Sequence, residues 1–102
     1  QQLRDSASQL GYSLLEGCVN SSDNFYYDES VMAAAVDKSL NQYHCLCAEM
    51  ESFALFSNAK VLNKEAACLL TVTDHFITKE KASSTDREKS LNKMIELALK
   101  SI

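Results

Sequence analysis

The sequence has no proline, no tryptophan and only two glycines, Gly11 and Gly17, in 102 residues. Average usage would give roughly seven glycines and five prolines in a chain of this length. With glycine so sparse, neither a dinucleotide-binding G-x-G-x-x-G turn nor a Walker loop can be written, so a phosphate bound by these residues is not cradled by a glycine-rich backbone. Positive charge is scarce too: Gln1 to Thr78 carries four basic residues against ten acidic ones, and only from Lys79 onward do bases outnumber acids, six to four. With a formal net charge of −4, most of this surface repels a polyanion, which argues against nucleic acid as a partner. Apolar runs are interrupted within about eight residues, short of the roughly 18 to 20 that span a bilayer, and no signal peptide opens the chain; no membrane is expected. The four cysteines, Cys18, Cys45, Cys47 and Cys68, are too few for a disulfide scaffold. They read as reduced thiols of a cytoplasmic protein.

Hydrophobic residues make up 46% and charged residues 24%, the balance of a chain that packs. No linker, repeat or low-complexity tract divides it, so residues 1–102 read as a single unit. The chain opens Gln1-Gln2-Leu3 without an initiator Met, as a processed or excised piece would. Gln1 to Leu10 reads as the end of a helix stopped by Gly11, and Tyr12 to Val19 as a strand-like run. Asp28 is placed to cap a helix with apolar residues at Val31, Met32, Ala35, Val36 and Leu40. A short apolar run, Tyr43 to Ala48, leads into a helix over Met50 to Leu62 with Phe53, Phe56 and Ala59 on one face. Ala66 to Val72 has no alternation and reads as a strand buried on both faces. The last helix is expected to start at a Thr85 cap with Glu88 completing a capping box, followed by Leu91, Met94, Ile95, Ala98, Leu99 and Ile102 at helical spacing. The order α-β-α-β-α-β-α predicts an α/β fold, whose ligands gather at the C-terminal ends of the strands.

Those ends carry Ser21-Ser22-Asp23-Asn24-Phe25-Tyr26, Glu49-Met50-Glu51 and Thr73-Asp74-His75. Taken singly, each has an ordinary structural explanation. Glu49 and Glu51 open a helix, where the dipole favours carboxylates. Asp74 is placed to cap a turn. Phe25 and Tyr26 are residue types that pack, and His75 serves equally as a base partner or as packing.

In combination they are more specific. Ala48-Glu49-Met50-Glu51-Ser52, a helix, Thr71-Val72-Thr73-Asp74-His75, then Ser84-Thr85-Asp86-Arg87 opening a long final helix closely resemble the bacterial-type, hexameric purine nucleoside phosphorylases. The Ser21 to Tyr26 segment resembles the base-site loop of that family, and the likeness runs from about Glu16 to Ile102. The resemblance implies the C-terminal half of a phosphorylase/hydrolase-like fold, a mixed sheet with helices on both faces. It implies phosphorolysis of purine ribonucleosides or deoxyribonucleosides, with inorganic phosphate as co-substrate and no cofactor. In that reaction positive charge develops on the sugar and negative charge on the departing purine. By the resemblance Asp74 is the acid that protonates the purine near N7, with burial expected to raise its pKa. Arg87 is the arginine that stabilises the resulting carboxylate, and Glu51 accepts hydrogen bonds from the ribose 2′- and 3′-hydroxyls. Met50 packs on the sugar, Glu49 lies on the base side, Phe25 and Tyr26 line the purine, and Thr73 stands where the family usually has serine.

The family's phosphate site, a glycine-rich turn with arginines and a serine plus a histidine and arginine lent by a neighbouring subunit, has no counterpart in these residues. The resemblance therefore also implies partners: the N-terminal half and further subunits, as a homohexamer. Two other functions remain open, a non-catalytic nucleoside-binding or orphan half-domain, and a nucleosidase using water, although the Thr85 to Ser90 segment fits a phosphorylase better. Zinc is disfavoured, because His44, Cys45 and Cys47 lack the usual Cys-x₂₋₄-Cys spacing and no second pair follows. A cytidine deaminase would need a Pro-Cys-x-x-Cys that a proline-free chain cannot supply.

Overall fold

The computed structural model describes residues 1–25 and 28–102. Its elements are α1 (Gln2–Leu10), β1 (Val19–Ser21), α2 (Glu29–Asp37), a π-helical turn (Lys38–Gln42), β2 (Cys47–Glu49), α3 (Ser52–Val61) and α4 (Ser84–Lys100). They are helices with a small parallel sheet, as an α/β chain requires. The residues group into two units, Glu16–Cys68 and a second made of Gln1–Leu15 with Leu69–Ile102.

In the unit Glu16–Cys68, β1 and β2 form a two-stranded parallel ladder with Val19 opposite Cys47, Asn20 opposite Ala48 and Ser21 opposite Glu49. Leu46 N donates to Cys18 O at 2.9 Å and Ser22 N to Glu49 O at 3.0 Å, extending the ladder at both ends. The strands thus sit at the C-terminal edges of the apolar runs Tyr12 to Val19 and Tyr43 to Ala48, because pairing and not hydrophobicity sets where a ladder lies. Asp28 does precede α2, in extended conformation, but its side chain makes no capping hydrogen bond. The α-helix ends at Asp37, before the expected Leu40, and winds into the wider π turn. α3 ends at Leu62 and Asn63, the latter left-handed at φ 52. Asn63 N donates to Lys60 O and Lys64 N to Ala59 O, a Schellman motif with asparagine in glycine's usual place.

In the second unit, α1 is stopped by Gly11 at φ 70, with Gly11 N donating to Ser8 O and Tyr12 N to Ala7 O. This Schellman motif needs a left-handed residue, which glycine adopts without steric cost. α1 packs on α4 through small residues: Ser6 and Ala7 are buried, and so is Leu97. Beside that contact Tyr12 Oη donates to Glu96 Oε2 at 2.5 Å. Lys93 Nζ sits 5.8 Å from the centre of the Tyr12 ring, within cation–π range.

Three expectations are corrected. Ala66 to Val72 forms no strand, and five of its seven residues are exposed. A strand exists only where a neighbour accepts and donates along it, and no described segment pairs with this one. α4 is capped by Ser83, not Thr85: Ser83 Oγ accepts from Asp86 N at 3.1 Å and donates to Asp86 Oδ2 at 2.6 Å. The cap is therefore a mutual Ser83–Asp86 pair, two residues earlier than the expected Thr85/Glu88 capping box. Finally, α4 buries Leu97, which the expected stripe omits, while Leu91, Ile95, Leu99 and Ile102 are exposed. Likewise Phe53 and Phe56 of α3 are exposed.

Among the described residues the only buried hydrophobic side chains are Ala7 and Leu97. So much uncovered apolar surface predicts that these 102 residues, expressed alone, self-associate and bind the hydrophobic dye ANS. Light scattering and ANS fluorescence check this; a monodisperse, cooperatively melting monomer would contradict it.

Candidate functional site

In the unit Glu16–Cys68 the candidate residues gather where β2 turns into α3. The first amides of a helix have no intrahelical acceptor, and here Glu49 supplies one. Its Oε2 accepts from Glu51 N at 2.6 Å and from Ser52 N at 2.7 Å, and its Oε1 accepts from Ser52 Oγ. Ser52 is buried. Desolvation alone would raise the Glu49 pKa, but the hydroxyl of Ser52, the amides of Glu51 and Ser52 and the Ser21 hydroxyl together outweigh it. They hold the carboxyl at about 2, against an ordinary 4.5. Glu49 is thus an ionised carboxylate occupied by its own chain, whereas Glu51 is exposed at the helix start. Ser21 Oγ also accepts from Phe53 N at 3.3 Å, tying the end of β1 to α3. Ser21, Asp23, Met50, Phe53 and Ala54 line an open depression of about 300 Å³. Phe25 lies on the loop after β1 with its ring exposed; Tyr26 lies outside the described residues.

The second unit holds Thr73, Asp74 and Arg87. Residues 73–82 form a short hairpin: Ala82 N donates to Thr73 O at 2.8 Å, Asp74 bridges Lys81 in antiparallel sense, and His75 N donates to Glu80 O at 2.9 Å. The hairpin delivers the chain to the Ser83 cap, and Arg87 lies on the first turn of α4. From there Arg87 Nη2 reaches Asp74 Oδ1 at 3.5 Å. On its other side Asp74 Oδ2 accepts from Thr73 Oγ1 at 3.2 Å. The Asp74 side chain remains 50% exposed and that of Arg87 46%, so the burial expected for the acid is not supplied by these residues. A half-exposed pair of this kind adds little to stability. Its interest is chemical, since it places a cation beside a carboxyl group.

Sequence reasoning weighed His75 without deciding its role; its ring is bonded within the turn, Nδ1 accepting from Ile77 N at 3.2 Å and Thr78 N at 3.1 Å. It missed Ser52 and Ser21 as partners of Glu49 and Ser83 as the cap. The Ser83-Ser84-Thr85-Asp86 spacing was the available signal for the last. The cysteines are free thiols. Burial pushes the Cys47 and Cys68 thiols up, with the charge of Glu49 adding to it, which is unfavourable to nucleophilic thiolate. Among the described residues no cluster of histidine, cysteine and carboxylate side chains could hold a metal ion, and no helix is long and apolar enough to cross a membrane.

Comparison with known proteins identifies the fold family. A family model described as "Phosphorylase superfamily" matches residues 1–102. The chain belongs to the phosphorylase superfamily. Among the proteins similar to it is the DeoD-type purine nucleoside phosphorylase of Oceanobacillus iheyensis, 39% identical over 98 residues, covering 96% of this chain and 40% of the relative. The protein of the same name from Latilactobacillus sakei is 40% identical over 95 residues, covering 92% of this chain and 38% of the relative. That from Bacillus subtilis is 35% identical over 98 residues, covering 96% and 40%. The phosphorylase-superfamily chain described here thus spans about two fifths of the length of these relatives.

The depressed Glu49 pKa gives a pH test. Because its folded-state value lies below the unfolded one, its ionised form contributes stability that is present above about pH 4.5 and is lost as the pH falls toward about 2. In the assembled protein, Glu49→Gln is expected to lower stability at neutral pH and to flatten the decline over this window, measured as denaturation midpoints against pH. An unchanged acid limb in the variant would refute it.

Proposed function

We propose that this chain supplies the base, ribose and general-acid residues of a purine nucleoside phosphorylase. The observation that carries the reading is the Asp74–Arg87 pair, 3.5 Å apart at the start of α4, in a chain matched along its length by the phosphorylase superfamily. In phosphorolysis the bond from the sugar's anomeric carbon to N9 breaks, a phosphate oxygen bonds to that carbon, and the electron pair leaves with the purine. A proton delivered near N7 makes the purine a better leaving group. Asp74 donates it, becoming a carboxylate beside the Arg87 guanidinium, whose charge stabilises the product of the transfer. Thr73 Oγ1, already a donor to Asp74, orients the same carboxyl group.

Glu51 accepts from the ribose 2′- and 3′-hydroxyls, and its negative charge favours an oxocarbenium-like sugar. Met50 lies along the sugar, and Phe25 and Tyr26 line the purine. In this reading Glu49 stands on the base side of Glu51 and acts through the backbone it holds. Inorganic phosphate is the co-substrate, and no cofactor takes part. None of the residues assigned here binds that phosphate, so the reading places it on the share of the relatives' length that this chain does not span. The remaining share of the domain and further copies, as a homohexamer in the cytoplasm, are the expected partners.

In the assembled enzyme Asp74→Asn is expected to reduce adenosine phosphorolysis by about 10²- to 10⁴-fold, the usual general-acid range. It should spare 7-methylated purine nucleosides, whose leaving group needs no proton. Steady-state rates on both substrates decide it, and equal losses would remove Asp74 as the acid. Cleavage that proceeds equally well without phosphate would identify a nucleosidase instead.

Glu51→Gln replaces a charged acceptor whose hydrogen bonds are worth about 1.5 to 3 kcal/mol each. It is expected to weaken inosine binding more than deoxyinosine binding, read as the ratio of the two affinities. An unchanged ratio would mean that Glu51 does not hold the 2′-hydroxyl.

A further inference from the structure

We infer that His75 is a positioning residue for the Asp74–Arg87 pair, holding as a neutral imidazole the turn that sets their spacing. The inference rests on the functional reading above. Between Asp74 and the Ser83 cap the chain reverses direction within a few residues. The reversal is closed by Lys79 N donating to His75 O at 2.9 Å, with Lys79 left-handed at φ 60. A turn this tight leaves inward-facing amides that no strand or helix satisfies, those of Ile77 and Thr78. Both donate to His75 Nδ1, at 3.2 and 3.1 Å.

A ring nitrogen accepts only when it carries no proton, so this arrangement requires the tautomer protonated at Nε2. No residue between Thr73 and Arg87 is glycine or proline; Thr78 Oγ1 accepts from Glu80 N at 3.4 Å on the way out of the turn, and the amides of the tip are still to be satisfied. The side chain of His75 takes over that task. The number of residues in the reversal fixes the register that opposes Asp74 to Lys81 and lets Ala82 N reach Thr73 O. The register in turn fixes where Ser83 caps α4, and therefore where Arg87 stands relative to Asp74. Ile77, Thr78 and His75 are exposed, so water can replace the lost acceptor. Removing the imidazole should therefore loosen the register and leave the fold intact.

The test uses the complete, assembled enzyme with His75→Ala and His75→Asn. The asparagine carbonyl can accept from amides two and three residues on, as in an Asx turn. His75→Ala is expected to lower kcat for adenosine phosphorolysis by about tenfold or more with KM changed by less than about threefold. On a 7-methylated purine nucleoside, where no proton is needed, the loss should stay below about threefold. His75→Asn should restore most of the adenosine rate, and amide exchange at Ile77 and Thr78 should be slow in the wild type and in His75→Asn but fast in His75→Ala. Equal losses on the two substrates, no loss on either, or failure of asparagine to rescue would overturn the inference. If His75→Ala fails to fold, His75→Asn decides alone: near wild-type rates with protected amides support the inference, and a loss of about tenfold overturns it. Wild-type enzyme that phosphorolyses no purine nucleoside would instead overturn the functional reading, while exchange at the two amides would still report whether His75 holds the turn.

Discussion

A backbone amide with no acceptor loses a hydrogen bond that water or protein must replace, and this constraint shapes each place where the chain gathers ionisable side chains. In a sequence without proline and with two glycines, turns and helix starts cannot rely on preset backbone conformations. Side-chain acceptors do the work. Glu49 takes the amides that open α3, His75 takes those of the hairpin tip, and Ser83 takes that of Asp86 at the start of α4. Each acceptor lies one to four residues from a group with a proposed chemical role: Glu51, Asp74 or Arg87. Local backbone satisfaction and functional geometry are thus the same set of bonds.

The three carboxylates with a proposed role, Glu49 and Glu51 in one unit and Asp74 in the other, differ because their neighbours differ. Glu49 receives donors from four groups and is held strongly ionised, which makes it a poor proton donor and a good anchor. Glu51, two residues away, gives its amide to Glu49 and keeps its carboxylate exposed, an arrangement suited to accepting from a diol. Among the described residues Asp74 meets one neutral donor, Thr73, and one cation, Arg87. Residue type alone would not separate these roles. Partner count does.

The sequence revealed most where a local rule decides the outcome. Gly11 ends α1 because a left-handed residue is needed there, and the helical spacing after Ser83 gives α4 its length. The gathering of Glu49, Met50 and Glu51 at a helix start, and of Thr73 and Asp74 ahead of Arg87, was legible from the order of motifs. What sequence could not give were features that depend on a second segment. β1 and β2 lie at the ends of their apolar runs because the parallel register of Val19 with Cys47 places them there. Ala66 to Val72 has the composition of a buried strand but no described neighbour to bond to. In α4 the apolar spacing pointed to the stripe Leu91, Met94, Ile95, Ala98, Leu99 and Ile102, whereas small Ser6 and Ala7 select Leu97. The role of His75 was hidden because a ring that accepts two amides leaves no periodicity to read.

The π-helical turn Lys38–Gln42 makes this stretch sensitive to the count of its residues. Each residue of an α-helix advances the chain by about 1.5 Å and rotates it by about 100°, and a π turn accommodates one residue more per loop of hydrogen bonds. Ser39 within it is tied twice, its hydroxyl accepting from Asn20 Nδ2 at 2.9 Å and its carbonyl from Cys45 N at 2.8 Å. A lineage that lost a single codon here would wind this turn as ordinary α-helix and swing Ser39 away from both partners. Length variation among related sequences should therefore avoid residues 38–42, even though a surface helix end is otherwise an easy place to gain or lose a residue.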